Sequence, residues 1–290
     1  MADLSACGDD AFVAHLDGVF EHAPWVARSV LAGRPFASVD ALHAALMATL
    51  HALPEAELLA LLCGHPELAG AQARSGAMTA DSVAEQGGLA LASVDAAAAA
   101  HWDALNAAYR ARFGFPFILC IRRHSRASAL RTFERRLAHD RATELQAALA
   151  EIGRISRLRV AARLLDHGLT NITGRLSTHV LDLSRGRPAP GMRIELLEIG
   201  ADGPRRLVDA LTDANGATGA ALLDGAPLRI GRYELRFHVG DYFRRSAAGD
   251  LGDEPFLDVV PVAFGIDEPE GDYHLPLAVT PWAYSTYRGS

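Results

Sequence analysis

Ser82, Glu85 and Gln86 stand at positions i, i+3 and i+4, so a helix through them would present a hydroxyl, a carboxylate and an amide together. Such a trio can hold a polar ligand and move a proton. The same letters also spell S-x-x-E, a capping box, in which the serine and the glutamate merely satisfy the first turn of a helix. His65-Pro66 reads in the same two ways: an imidazole that could exchange a proton, or a proline opening a helix at its first position. Arg159, late in a helical run, is by default a solvated or salt-bridged side chain, yet its planar fork could grip an anionic oxygen. In the second half of the chain, His179 and His274 each lie inside an alternating apolar run. Imidazole is the side chain whose ordinary pKa lies nearest neutrality, so either could take a proton from water and return it. A lone histidine in a strand is more often an ordinary surface or core residue, and only its context can raise it above that.

The elements that would carry these residues differ between the two halves. Through residue 165 apolar side chains recur at helical spacing, as in Val39, Leu42, Leu46 and Leu50. Helices are predicted over 39–50, 54–63, 95–112, 126–138 and 142–165, punctuated by Gly64, Pro66, Gly87, Gly88, Gly114 and Pro116. From about 175 the pattern alternates, and strands are predicted over 176–182, 192–199, 231–239 and 273–279. Turn clusters such as 200–203 and Asn215-Gly216 separate them, which argues for an all-β sandwich. The expected organisation is an all-α domain over 1–165, a linker over 166–174 and a β-sandwich domain over 175–290.

Composition narrows the function classes. The chain has 290 residues and a formal net charge of -7, which gives no footing to DNA, RNA or an anionic membrane. All 28 basic residues are arginine, so neither a Schiff-base lysine nor a P-loop lysine is possible. Cys7, Cys63 and Cys120 are odd in number and widely spaced, which makes a disulfide framework or a zinc site an unpromising reading. No start resembles a signal peptide and no apolar run approaches the roughly 20 residues that span a bilayer. A soluble, cytoplasmic protein acting on small molecules is expected, with no metal and no membrane partner.

Residues 176–190 read LSTHVLDLSRGRPAP, residues 231–243 read GRYELRFHVGDYF, and the chain ends DYHLPLAVTPWAYSTYRGS. From about 175 onward it resembles the transthyretin-related 5-hydroxyisourate hydrolases. The resemblance implies a transthyretin-like β-sandwich, a homotetramer with active sites in an interface channel, and ring-opening hydrolysis. It makes His179 and His274 the proton-handling pair, one of them activating water. Ser290 would assist at the chain end, and Tyr287 and Arg288 would face substrate. One departure stands out. The family has an arginine after a T-N-x-D-G turn, and the matching stretch Thr212-Asp213-Ala214-Asn215-Gly216 is followed here by Ala217. Either another arginine, such as Arg229 or Arg288, enters the site, or the hydrolase is weakened.

The first half resembles the 2-oxo-4-hydroxy-4-carboxy-5-ureidoimidazoline (OHCU) decarboxylases. The matching stretches are Glu21 to Val26 (EHAPWV), Arg34-Pro35-Phe36, His65-Pro66-Glu67-Leu68, Ser82 to Gln86 (SVAEQ), Phe113 to Phe117 (FGFPF) and Ile155 to Arg159 (ISRLR), in family order. This implies an all-α, usually dimeric enzyme without metal or organic cofactor. His65 and Glu85 would be its acid–base pair. Ser82, Gln86, Arg159 and the Phe117-Ile118 segment would bind substrate. The two resemblances meet in one expectation, because the hydrolase product is the decarboxylase substrate: passage of 5-hydroxyisourate through OHCU to (S)-allantoin by a homo-oligomer. The alternative is a working decarboxylase joined to a weakened hydrolase or to a non-catalytic transthyretin-like binding module.

Overall fold

The computed structural model describes residues 4, 6–70, 80–87, 96–164, 172–246 and 254–289. The chain divides into two compact units, Met1–Arg122 with Ser128–Thr170, and Arg123–Ala127 with Asn171–Ser290. Among the described residues no single helix is long and apolar enough to cross a membrane.

The first unit is helical. Its elements are α1 (Asp9–His15), α2 (Pro24–Ser29), α3 (Val39–His51), α4 (Glu55–Cys63), α5 (Ala80–Gly87), α6 (Ala96–Phe113), α7 (Arg126–Arg136) and α8 (Arg141–Arg163). The periodicity that predicts α3 is the face that folds inward: Leu42, Leu46 and Leu50 are wholly buried. Ser38 caps that helix, its hydroxyl accepting from Ala41 N at 3.0 Å, and Asp140 caps α8 by accepting from Thr143 N at 2.9 Å. At 23 residues α8 runs about 34 Å. It buries Ala148, Ile152 and Ile155 against the core and carries three buried charges inward, Glu144, Glu151 and Arg159. The FGFPF turn lies beside it, with Gly114 at φ +83°, a left-handed conformation open to glycine, between the buried rings of Phe113 and Phe115.

Two local expectations change here. No helix follows His65-Pro66 among the described residues up to 70. Ser82 does not cap a helix: it lies in the third position of α5, and its hydroxyl is committed to Glu21 and Arg159 instead.

The second unit is a sandwich. One layer is the antiparallel sheet β5–β4–β7–β8, built from β4 (Arg193–Gly200), β5 (Gly203–Leu211), β7 (Gly231–His238) and β8 (Val259–Ile266). The other strands form two short sheets. One is β6–β1–β9, from β1 (Gly174–Ser177), β6 (Leu223–Ala226) and β9 (Asp272–His274). The second is β11–β10–β2–β3, from β2 (Val180–Asp182), β3 (Arg187–Pro188), β10 (Leu277–Val279) and β11 (Tyr284–Thr286). Leu176, Val180, Ile194, Leu196, Leu235, Phe237, Leu277 and Val279 form its core, at the alternate positions the period-2 pattern predicts. A short helix, α9 (Val239–Arg245), takes the chain out of β7.

The predicted strands 176–182 and 273–279 are each broken once. Thr178 turns its hydroxyl to the carbonyl of Leu275 at 2.6 Å, and His179 and Leu275-Pro276 fall between strands. β1 pairs in parallel with β9, and β2 with β10, so the two breaks lie side by side. β8 has no counterpart in the sequence reading because Pro261 interrupts its apolar run. The strand tolerates that proline at the sheet edge, where one side needs no partner.

Candidate active sites

In the helical unit, His65, Ser82, Glu85, Phe117, Ile118 and Arg159 converge on one pocket, with Pro66, Leu68, Leu119, Ile121 and Ile155 completing its walls. Its free volume is about 30 Å³. Arg159 is its centre. Nε and Nη2 donate to Glu85 Oε1 and Oε2, both at 2.9 Å, a bidentate pair. Nη1 donates to Glu21 Oε2 at 3.0 Å and to the Gly18 carbonyl at 3.1 Å, and Nη2 reaches Ser82 Oγ at 3.3 Å. Ser82 in turn donates toward Glu21, 3.1 Å from Oε2. Burial works against the guanidinium charge, but the two carboxylates outweigh it and raise the pKa of Arg159 above its ordinary value.

His65 is half-buried at the pocket wall. Desolvation pulls its pKa down, Glu21 opposes that, Arg159 and His22 add to it, and the net result is a value of about 4. The imidazole is therefore neutral at pH 7, able to accept a proton or a hydrogen bond. Gln86 is on α5 with Ser82 and Glu85, but its side chain lies outside the described residues. Glu21 has no place among the sequence-derived site residues, although it opens the EHAPWV stretch. A carboxylate only 3 % exposed that touches both Ser82 and Arg159 belongs to the constellation. Sequence offers no sign of it beyond its place in that stretch.

The sandwich carries a second constellation at the paired strand breaks. His179 Nδ1 and His274 Nε2 are 2.8 Å apart, with ring centroids separated by 4.9 Å. His274 Nδ1 meets Ser177 Oγ at 2.9 Å, so hydroxyl and two imidazoles form one hydrogen-bonded chain. Desolvation, then the neighbouring His179, lowers the pKa of His274, with Arg175 contributing in the same sense and Asp272 opposing. Ser177 is the residue that sequence reasoning missed here. Its signal was present, since period 2 puts it on the same face as His179.

The C-terminal segment closes on this pair. Gly289 bridges His274, its N–H donating to the His274 carbonyl at 2.8 Å, and a Cβ at 289 would stand 2.8 Å from the imidazole Cδ2. Ser290 lies outside the described residues. Tyr287 is exposed, and Arg288 stacks over Tyr273 at 4.5 Å with Nη2 3.7 Å from Glu268. Arg229 lines a different cavity, with Arg205, Leu207, Leu228 and Tyr233.

Ala217 itself is bridged to His179. Its turn is firmly held. Asp213 Oδ1 accepts from Asn215 N at 2.8 Å and from Ala217 N at 3.1 Å. The Gly216 carbonyl accepts from Val180 N at 2.8 Å. Gly216 has φ +74°, and a Cβ there would fall 2.3 Å from the Val180 carbonyl, so only glycine fits.

Comparison with known proteins gives each unit a family. Residues 5–161 match the OHCU decarboxylase family and residues 176–289 match the HIUase/transthyretin family. A 5-hydroxyisourate hydrolase of Deinococcus radiodurans is 48% identical over 115 residues, which are 40% of this chain and 95% of that protein. An OHCU decarboxylase of Amia calva is 37% identical over 160 residues, 55% of this chain and 91% of that one. A crystal structure of an (S)-allantoin synthase is similar from end to end, with 30% identity, a TM-score of 0.54 and coverage of 100% of this chain and 99% of that one. The chain thus belongs to the OHCU decarboxylase family through its helical unit and to the HIUase/transthyretin family through its sandwich.

Proposed function

We infer that this protein is a bifunctional enzyme of urate degradation: the sandwich hydrolyses 5-hydroxyisourate to OHCU, and the helical unit decarboxylates OHCU to (S)-allantoin. The observation that carries this reading is the presence of two separate proton-handling constellations, each on the unit whose family performs one of two consecutive steps. Tethering two such sites raises the local concentration of an unstable intermediate at the second, to roughly millimolar for short linkers.

In the hydrolase step, Ser177 fixes His274 and His274 fixes His179 through Nδ1, which leaves Nε2 of His179 to take a proton from the attacking water. The pair then returns the proton to the ring nitrogen that leaves as the amide bond breaks. Ser290, Tyr287 and Arg288 frame the substrate at the chain end.

In the decarboxylase step, the bond between the ring carbon and its carboxylate breaks, carbon dioxide leaves, and the electron pair spreads into the ring until a proton quenches it. Arg159 grips an anionic oxygen of the substrate, taking donors now shared with Glu85. Neutral His65 handles the proton of the neighbouring hydroxyl, and Glu85 completes the acid–base pair. Gln86 and the backbone at 117–119 hold the flat ring. Delivery of the proton from one side yields one enantiomer.

Exposed Leu181, Leu183, Trp282 and Tyr284 give the sandwich an apolar surface of the kind an oligomer buries. A tetrameric hydrolase and a dimeric decarboxylase, working in the cytoplasm, complete the proposal. The direct test is to supply freshly made 5-hydroxyisourate to the full chain. The ultraviolet absorbance of the substrate should decay and the circular dichroism of (S)-allantoin should grow, both faster than the spontaneous reactions. An enzyme that accelerates only the second signal leaves the sandwich as a binding module.

Ala217 sets a further expectation. A forked guanidinium contact to a substrate anion is worth about 1.5–3 kcal/mol, so Ala217→Arg, on a turn already pinned beside His179, should raise hydrolase kcat/KM roughly ten- to a hundredfold. The decarboxylase should not change. Steady-state hydrolysis by parent and variant decides it. Unchanged or lower efficiency in a folded variant means that another cation already serves. Arg175, exposed two residues before Ser177 and close enough for its charge to act on His274, is then the one to truncate.

A further inference from the structure

Resting on the decarboxylase reading, we propose that Arg136 and Glu151 are positioning residues which clamp the backbone on either side of Leu119 and so aim its N–H and C=O at the substrate. Phe117, Ile118, Leu119 and Cys120 form a buried stretch without helix or strand, and the first three line the pocket. Two of its backbone groups are held from outside the pocket. Arg136 Nη1 donates to the Ile118 carbonyl at 2.8 Å, and Cys120 N donates to Glu151 Oε2 at 2.8 Å.

Peptide planarity turns these two contacts into a constraint on the residue between them. In a trans peptide the C=O and the following N–H point in opposite directions. With the Ile118 carbonyl drawn to Arg136, the Leu119 N–H faces away from Arg136. With the Cys120 N–H drawn to Glu151, the Leu119 carbonyl faces away from Glu151. Leu119 is 5 % exposed, yet neither its N–H nor its C=O finds a partner among the described residues. Buried backbone groups left unpaired are rare because each costs free energy comparable to a lost hydrogen bond. A donor and an acceptor on one residue match the N–H and C=O that a cyclic urea or ureido group presents side by side.

The clamp is itself braced. Glu144, wholly buried, accepts from Arg136 Nε at 2.9 Å and Nη2 at 2.5 Å, and its other oxygen meets His139 Nδ1 at 2.8 Å. The Tyr109 hydroxyl also donates to Glu144. The Arg136 guanidinium lies 4.6 Å from the centroid of the Phe117 ring, which stacks on Phe133. Arg136, Glu144 and Tyr109 do not line the pocket. A buried ion pair is often no better for stability than well-packed apolar residues. What an apolar replacement lacks is a directed donor for Ile118 and a flat cation beneath Phe117.

The test uses the full chain and OHCU generated in situ, with parent enzyme as the control. Loss of turnover in the parent would sink the decarboxylase reading itself and not the clamp. Arg136→Lys keeps the charge and loses the fork, and Glu151→Met keeps the length and loses the acceptor. Each should raise the KM for OHCU about tenfold or more, with a smaller fall in kcat, and lower the enantiomeric excess of the allantoin formed while enzyme flux dominates. Glu151→Gln, which still offers Cys120 an acceptor, should recover most of what Glu151→Met loses. A merely structural role would lower Tm and leave KM and enantiomeric excess as in the parent. That result in folded Glu151→Met would overturn the proposal even if Arg136→Lys failed to fold.

Discussion

His65→Asn should slow decarboxylation of OHCU by about 100- to 10,000-fold, the span of general acid–base contributions, with native far-ultraviolet circular dichroism. The pH profile should identify the form at work. With its pKa pushed down to about 4, His65 is neutral from alkaline pH to about pH 5, so the parent rate should hold across that range and fall only below it. An ordinary histidine would lose rate near pH 6.5. The same shift bears on stability. The unfolded chain takes up a proton at His65 as pH falls through about 6.5, whereas the folded chain refuses it until about 4. The fold therefore loses stability over that window, and His65→Asn should lose less of it. Glu85→Gln should also be slow, but Glu85→Ala is the poorer probe. Truncation strips Arg159 of a bidentate partner in a buried setting and leaves Glu21 alone to balance the charge. Decarboxylation at the parent rate by folded His65→Asn and Glu85→Gln would sink the assignment of both residues.

Much of this site was legible in the sequence, for reasons that differ from residue to residue. The i, i+3, i+4 spacing of Ser82, Glu85 and Gln86 places them on α5 because that segment is a helix, and helical spacing alone implies a shared face. What the letters could not give is the direction in which the face looks. Local rules favour a cap for S-x-x-E, and tertiary structure overrides them: Glu21 and Arg159, 61 and 77 residues away in the chain, claim the serine hydroxyl. Arg159 carries the same lesson. An arginine late in a helix is by default solvated, and only the three-dimensional meeting of two carboxylates makes its burial tolerable. Glu21 and Arg136 had no sequence signal of their own, since each depends on a partner brought near by folding.

In the sandwich the alternation of Val, Ile, Leu and aromatic residues located four strands and the core they bury, but it ran through both strand breaks. Those breaks bring His179 and His274 together. They arise from Thr178 bonding the Leu275 carbonyl and from Pro276, which has no N–H to give to the ladder. Neither event disturbs the hydrophobic period, so the strands read as continuous. β5 escaped for the opposite reason. Most of its side chains are exposed or half-exposed at a sheet edge, and its pattern lacks the contrast that alternation requires.

The second large effect is expected where those breaks meet. His179→Ala and His274→Asn should each slow ring opening of 5-hydroxyisourate at least about a hundredfold, and leave decarboxylation of supplied OHCU unchanged. Ser177, His274 and His179 form one chain with contacts of 2.9 and 2.8 Å, so they should act as a unit. Removal of His274 deletes a proton-handling ring and also releases His179 Nδ1, and with it the orientation that leaves Nε2 facing water. The double variant should therefore cost little more than the worse single one, which is the signature of groups that share a task. Ser177→Ala, which removes only the hydroxyl behind His274, should cost far less and shift the pH dependence of hydrolysis instead. Lower pKa at His274 keeps that ring neutral and ready at pH 7, and the cause is desolvation first and His179 second. Hence His179→Ala should also let the pKa of His274 rise, a change that proton NMR titration of the imidazole can read in the absence of substrate. Parent-like hydrolysis by both single variants would take the reaction away from these two histidines. Additive losses in the double variant would mean that the two histidines serve separate steps and not one relay.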